Sequence, residues 1–587
     1  MGRSRVLQAL TAACVLVAVL PAGAAASATQ ESILQDDNQL LYSSPSHVAE
    51  VLGEMASLGV ERVRVSVIWA LVAPDPDSRT PPQFDAANPA AYPPGAWTRY
   101  DDIVEDAQAL GIGVDFNITS PDPDWAATAP SPSIKFKDYS PSPAEFGQFV
   151  QAVGTRYSGS YLTPTSSPVD PQPPPTLAGV PLPPPLFGTS TTTGPIPPEP
   201  LPRVDYWEIW NEPNQGGWLA PQWRRAPSDD AAAKSSQGWV EESPVIYRRL
   251  LAAAWNALSD TGHGGDTILI GDTSAKGGTR HGILPALAPI TFLQALYCVG
   301  PSFRPLTGAD AAGLACPTDG DPGVLAVDDP ALFYATGYAD HPYSFTQPPN
   351  VTSANQTWAT LADLPRLERD LDRIFAVYGK PTPGGVPLYL TEWGYKSDPP
   401  NPYVHISEAQ QAEYINEGEY MAWRDPYVRA LAQFELVDGG PNTREPVGSA
   451  AYWGTFQTGL IGMNGLVKPS YYAYRIPIWL PHPQTGPQVT VWGQLRPADH
   501  SVPQFATIEY EPAGASSFEA IREVETTSSQ GFILAHVPLA GPGSLRLGWL
   551  DPVTGQADHS RIVHVEAANS AVESPRMLTA PSGRGRG

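Results

Sequence analysis

From about Ser32 to Leu480 the chain alternates short apolar strands with amphipathic helices, the pattern of a parallel sheet covered by helices. The strands in order are Ile33-Leu34, Val63 to Trp69, Ile112 to Ile118, Tyr206 to Trp210, Ile268 to Gly271, Tyr338 to His341, Leu388 to Thr391 and Ala430 to Leu436. Eight strand-helix units in this length predict an α/β fold closed as a (β/α)8 barrel. An open doubly wound sheet would more often carry a glycine-rich phosphate turn after an early strand, and none occurs.

The helix starts are legible. Ser142-Pro143 with Glu145 reads as an N-cap, a first-turn proline and a capping box ahead of Phe146, Phe149, Val150, Val153 and Tyr157 at helical spacing. Ser243-Pro244 opens another helix, and Asp101 to Leu110 forms a third that Gly111 stops.

Composition divides the rest. At 587 residues the chain exceeds one average domain. Residues 1–28 carry Arg3 and Arg5, an apolar run from Val6 to Leu20 and small residues to Ala28, which reads as a secretory signal peptide too short to anchor in a bilayer. The barrel is expected over 29–484, with an insertion at 162–202 so rich in proline, serine and threonine that it should run extended without helix or sheet. A second stretch, Lys276 to Ala331, reads as irregular and follows the fifth strand, which places it on the catalytic face. Over 485–568 the pattern becomes period-two strands without helices, a small all-β sandwich, and 569–587 reads as a disordered tail.

The net charge of -25 excludes nucleic acid and anionic membranes as partners and mildly disfavours a polyanionic glycan. Cys14 leaves with the signal, so Cys298 and Cys316 remain to form a disulfide in a secreted, extracellular protein, or two buried thiols. No metal-ligand or cofactor spacing occurs: paired Cys-x-x-Cys, His-x-x-x-His and calcium loops are all missing.

Two strands end in glutamate: Tyr206-Trp-Glu-Ile-Trp-Asn-Glu212-Pro213 and Pro387-Leu-Tyr-Leu-Thr-Glu392-Trp393. Pro213 lacks an amide hydrogen and forces the residue before it to be extended, so Glu212 sits at a strand end. In a parallel barrel the carboxyl ends of the strands form one face, where carboxylates from two strands meet. Such a pair suits cleavage of a glycosidic bond. Buried, salt-bridged structural carboxylates are the alternative, and neither motif contains the lysine or arginine they would need.

The ordered motifs Trp-Asn-Glu212-Pro-Asn and Thr-Glu392-Trp resemble those of glycoside hydrolase clan A, family 39 most and family 5 next, over about Ser32 to Leu480. The clan's members are retaining barrel enzymes with catalytic glutamates ending strands four and seven. The resemblance implies Glu392 as nucleophile and Glu212 as acid/base acting on a carbohydrate substrate without a cofactor. Like charges about 5 Å apart cannot both ionise easily, so one pKa must rise, and Trp207, Trp210 and Trp218 would desolvate Glu212 in the same direction. It further implies that Asn211 binds the sugar 2-hydroxyl, Arg64 keeps the nucleophile ionised, Tyr343 orients Glu392 and His341 lines the site. Trp125, Trp393 and Trp453 are candidate sugar contacts. Strand eight reads Gln433-Phe434-Glu435 where many members place a tryptophan, leaving Phe434 or Trp453 as the platform. Two other functions share these residues: a carbohydrate-binding barrel without catalysis, and a transglycosylase using the same intermediate.

Overall fold

A computed structural model describes residues 29–128, 138–163, 176–177, 180–181, 199–226, 238–481, 488–499, 501–526, 528–552 and 554–565. The expected signal peptide, the tail expected to be disordered and most of the insertion lie outside the described residues.

Eight parallel strands close into a TIM barrel: β1 (Glu31–Gln35), β2 (Arg62–Ile68), β3 (Gly113–Thr119), β4 (Tyr206–Ile209), β5 (Thr267–Ser274), β6 (Gly337–His341), β7 (Leu388–Trp393) and β8 (Val428–Phe434), with β8 pairing back to β1. A principal helix follows each: α1 (Pro45–Ser57), α2 (Thr98–Ala109), α3 (Pro143–Arg156), α4 (Ser243–Asp260), α5 (Pro289–Leu296), α6 (Leu364–Val377), α7 (Glu408–Arg424) and α8 (Pro469–Arg475). Ser142 caps α3 by accepting from the Glu145 amide, which satisfies one of the donors left free at a helix start.

Side-chain direction divides the core. Val63, Val65 and Val67 of β2, Phe116 and Ile118 of β3, and Trp207 and Ile209 of β4 face outward into the helix layer. Between them, inward positions are polar: Arg64, Asp115, Asn117 and Glu208, all buried. A smaller apolar cluster around Ile33, Leu269, Ala339, Tyr389, Ala430 and Ala432 fills another part of the interior.

Two expectations change. Lys276 to Ala331 contains α5 and two further helices, Gly308–Gly313 and Pro322–Asp328, so it is not irregular; an N1/N2 proline and apolar spacing form α5 there. Within 162–202, residues 176–177 pair antiparallel with 180–181, and bridges at Leu162–Pro200 and Ser158–Arg203 close the base of the insertion. Short ladders thus form where composition pointed to none.

After the barrel, two antiparallel sheets share one core. The first has the order β9 (Ile478–Trp479), β10 (Gln488–Gln494), β13 (Phe532–Pro538). The second has β12 (Glu519–Glu525), β11 (Phe505–Pro512), β14 (Gly543–Leu550) and β15 (Ala557–His559), with β16 (Val563–Val565) also on β14. Val491, Ile508, Ile533 and Leu547 meet between them, and Ile476 and Ile478 join that core, so the sandwich draws on residues before 485. Arg496 ties it to the barrel through Ser32 at the amino end of β1 and Glu419 of α7, at 2.9 and 2.7 Å. The sandwich therefore meets the amino ends of the strands, away from Glu212 and Glu392. No helix among the described residues is long and apolar enough to cross a membrane.

Candidate active site

Arg64 points inward from β2 and is fully buried. Its guanidinium donates to Glu392 Oε1 at 2.7 Å, Glu208 Oε2 at 2.8 Å, Asp272 Oδ2 at 2.9 Å and Asn211 Oδ1 at 3.0 Å. Burial opposes its charge, but Glu208, Asp272 and Glu392 outweigh that and hold the guanidinium firmly ionised. With Oδ1 occupied by Arg64, Asn211 has its amide NH2 left for the cleft it lines.

Register shifts aim the carboxylates. On β5, Asp272 is the extra residue between Gly271, paired with Ala339, and Thr273, paired with Asp340. Gly271 has φ +97, and a Cβ there would meet the Tyr338 ring at 2.5 Å, so only glycine fits. Asp272 at φ +47 and Glu212 at φ +39 both hold left-handed backbone that costs non-glycine residues roughly 1–3 kcal/mol each, so Glu212, three residues past the end of β4 at Ile209, is not extended as expected before Pro213. The Glu212 amide donates to the Asp272 carbonyl at 3.0 Å, locking the two strained residues together.

A second register shift lies between Leu390 and Trp393 on β7. It lets Thr391 reach Asp272 Oδ1 at 2.9 Å while Glu392 turns to the cleft. Trp393 then turns outward against Gly418 of α7 and is 1 % exposed. It does not line the cleft, contrary to its expected sugar contact.

His341, ending β6, joins the two glutamates. Its Nδ1 lies 3.0 Å from Glu212 Oε1 and 3.6 Å from Glu392 Oε2, and Nε2 lies 2.8 Å from Asp272 Oδ1. Burial favours the neutral ring, but Glu392 and Asp272 overcome it and raise its pKa well above 6.5. Asp272 is held below its ordinary 3.8: burial pushes it up, and Arg64 and His341 more than reverse this. Burial lifts Glu392 above its ordinary 4.5, with His341 and Arg64 opposing and Glu212 reinforcing. Tyr343 donates its hydroxyl to Glu392 Oε2 at 3.1 Å.

Glu212, His341 and Glu392 each offer a ligand atom within 4.8 Å of the others, the spacing of a candidate cation site. A metal takes neutral imidazole, whereas both nitrogens of His341 already face carboxylates that favour its proton. The imidazolium itself supplies the positive charge between the carboxylates.

The cleft above these groups holds about 620 Å³. Trp218, Tyr343, Phe345, Phe434 and Phe456 give it apolar wall, and Gln35, Asp37, Asn38, Glu435, Lys276 and Lys396 give it polar lining. Phe434 therefore stands at the cleft, while Trp453 packs edge-on against Tyr452 and does not line it. Trp125 donates to the Pro74 carbonyl and packs on Trp69 and Phe84, outside the cleft lining. Of the tryptophans expected around Glu212, only Trp218 lines the cleft: Trp207 packs on Phe116 and His263, and Trp210 on Phe146. Trp207 points outward from β4, and Trp210, one residue past the strand and at φ +69, turns toward α3. Cys298 and Cys316 form a disulfide in the segment after β5.

Sequence reading passed over Glu208, Asp272 and Asn117. A usable signal was present, because parallel strands buried on both faces are usually apolar throughout. Arg62-Val-Arg-Val-Ser-Val in β2 and Asp115 with Asn117 in β3 alternate instead, which marks a polar barrel interior.

No protein-family model matches the chain, and no curated protein matches it in sequence. Among solved structures, a monomeric β-xylosidase from Caulobacter crescentus CB15 is similar at 14% identity and TM-score 0.42, covering 88% of this chain and 95% of that one. A family 1 β-glucosidase from Thermotoga maritima is similar at 14% identity and TM-score 0.41, covering 73% and 85%. An FMN-binding β-glucuronidase from Facaelibacterium prausnitzii L2-6 is similar at 11% identity and TM-score 0.39, covering 93% of this chain and 57% of that one. The chain thus spans only about half the length of the β-glucuronidases it matches, 57%, 46% and 46% of the three. The structural neighbours named here are glycosidases.

Proposed function

We propose that this chain is a secreted retaining glycoside hydrolase that cleaves β-O-glycosidic bonds of a polysaccharide or oligosaccharide by double displacement. The observation that carries the reading is the approach of Glu212 and Glu392, one oxygen of each lying within 4.8 Å of the other at an open cleft. Retaining sites hold their carboxyl groups at about 5–5.5 Å, whereas inverting sites need roughly 6.5–9.5 Å to admit a water.

In the first step the Glu392 carboxylate attacks the anomeric carbon, the glycosidic C–O bond breaks, and the proton of Glu212 passes to the departing oxygen. In the second, Glu212 takes a proton from water, the water oxygen attacks the anomeric carbon, and the bond to Glu392 breaks. Arg64 and Tyr343 hold one oxygen each of Glu392, fixing its orientation and favouring its ionised form. His341 holds Glu212 through Oε1. Asn211 offers its NH2 to the sugar 2-hydroxyl, a contact that strengthens in the transition state. Export is supported by the character of residues 1–28 and by the Cys298–Cys316 bond, which oxidising compartments favour.

The test is incubation with 2-fluoro aryl β-glycosides of several sugars, followed by intact-mass and peptide analysis. A stoichiometric adduct on Glu392, absent from Glu392→Gln, is expected. Labelling elsewhere, or binding without turnover across the panel, would overturn the reading.

A further inference from the structure

Two lysines line the cleft, and neither is in a salt bridge among the described residues. Lys276 follows β5 by two residues and Lys396 follows β7 by three, and both are half-buried. The Lys276 ammonium sits 3.4 Å from the Phe345 ring centre and 4.7 Å from that of Trp358. The Lys396 ammonium sits 4.7 Å from the ring centre of Phe456. Neither forms a salt bridge among the described residues, and burial draws both below the ordinary 10.5. The carboxyl that acts on Lys396, Glu435, is itself pushed up to about 9 by burial and by Asp36, so at neutral pH it carries little charge to offset the ammonium.

The aromatic groups under the lysines are continuous. Phe345 and Phe456 lie 6.2 and 6.4 Å from Tyr343, whose hydroxyl meets Glu392. Each ammonium therefore sits over a ring that neighbours Tyr343, beside the proposed nucleophile. A neutral sugar closing over that wall would strip water from two cations and return only ring contacts. An acidic group would convert the same desolvation into charge-assisted hydrogen bonds.

We propose that the sugar bound in this cleft carries an acidic substituent, a uronate carboxylate or a sulfate ester, received by Lys276 and Lys396. This rests on the glycosidase reading of the same cleft. The net charge of -25 does not oppose it, because surface charge is screened beyond about 8 Å at physiological salt. That charge does favour an isolated acidic sugar in an otherwise neutral glycan over a polyanion.

The experiment compares kcat/KM for aryl β-glucuronide and β-galacturonide, aryl 6-O-sulfo-β-glucoside, and neutral β-glucoside, β-galactoside, β-mannoside and β-xyloside. Preference for an acidic arm by at least about tenfold, declining with added salt, is expected; the carboxylate and sulfate arms separate the two sources. Lys276→Met and Lys396→Met should each lower the acidic-to-neutral ratio about ten- to a hundredfold, with Lys→Arg retaining most of it. Faster turnover of neutral glycosides, or an unchanged ratio in correctly folded Met variants, overturns the proposal while leaving the glycosidase reading intact. If nothing is turned over, that reading falls, and calorimetry with glucuronate-containing and neutral disaccharides decides this one. Selective binding of the acidic sugar, weakened in Lys276→Met, upholds it; equal or absent binding overturns it.

Discussion

Arg64 Nη1 donates to Glu392 Oε1 across 2.7 Å, joining β2 to β7 through the barrel interior. The same guanidinium meets Glu208 and Asp272, so one buried cation is the common partner of three carboxylates.

Removing it strands those charges. Arg64→Met should destabilise the fold by about 3–5 kcal/mol, the usual consequence of leaving a buried charge unpaired. Chemical denaturation at neutral pH checks this. Arg64→Lys should recover only part of the loss, because an ammonium cannot reproduce the forked geometry.

Glu212 is distinguished from Glu392 by its response to leaving group. Glu212→Ala should lose about 10²–10⁴-fold in kcat on glycosides whose leaving group needs a proton, and far less on activated aryl glycosides. Added azide should restore rate in the second step, because this anion attacks the anomeric carbon and displaces Glu392 without needing a general base. A correctly folded variant that azide leaves unchanged would remove Glu212 from the acid/base role.

The pH dependence has two parts. Burial raises Glu392, so the acid limb of kcat/KM should fall above the ordinary 4.5 of a glutamate. His341 has a folded pKa well above its unfolded 6.5, so the stability it contributes is fully present below about 6.5 and lost as pH rises through the folded value. His341→Asn should therefore flatten the alkaline decline of the unfolding free energy, measured by urea titration from pH 6 to 10.

Glu435 gives a second slope of the same sign. Its folded pKa of about 9 exceeds the unfolded 4.5, so the folded chain holds more protons between these values and loses stability as pH rises. Burial is the first cause, with Asp36 and Asp438 adding like charge. Glu435→Gln, the uncharged counterpart, should gain on the native chain by at most ~1.4 kcal/mol per pH unit across that window. Parallel melting curves at pH 5 and pH 8.5 would show it; coincident curves at both would contradict it.

The sequence by itself determined the order of eight strands, the Ser142 N-cap of α3 and the two strand-end segments that carry Glu212 and Glu392. Each depends on spacing within a few residues: period two in strands and 3.6 in helices. Only the tertiary structure decided which inward side chains meet. Glu208 is enclosed by apolar neighbours in sequence yet meets Arg64, 144 positions away. Asp272 becomes a contact of Arg64 and His341 because β5 holds one residue more than β6 across the register shift. Trp393, beside the proposed nucleophile in sequence, faces the helix layer because β7 shifts register before it. A bulge reverses the direction of a side chain without altering the local pattern, so pairing between distant strands, and not spacing along one of them, sets the composition of the cleft.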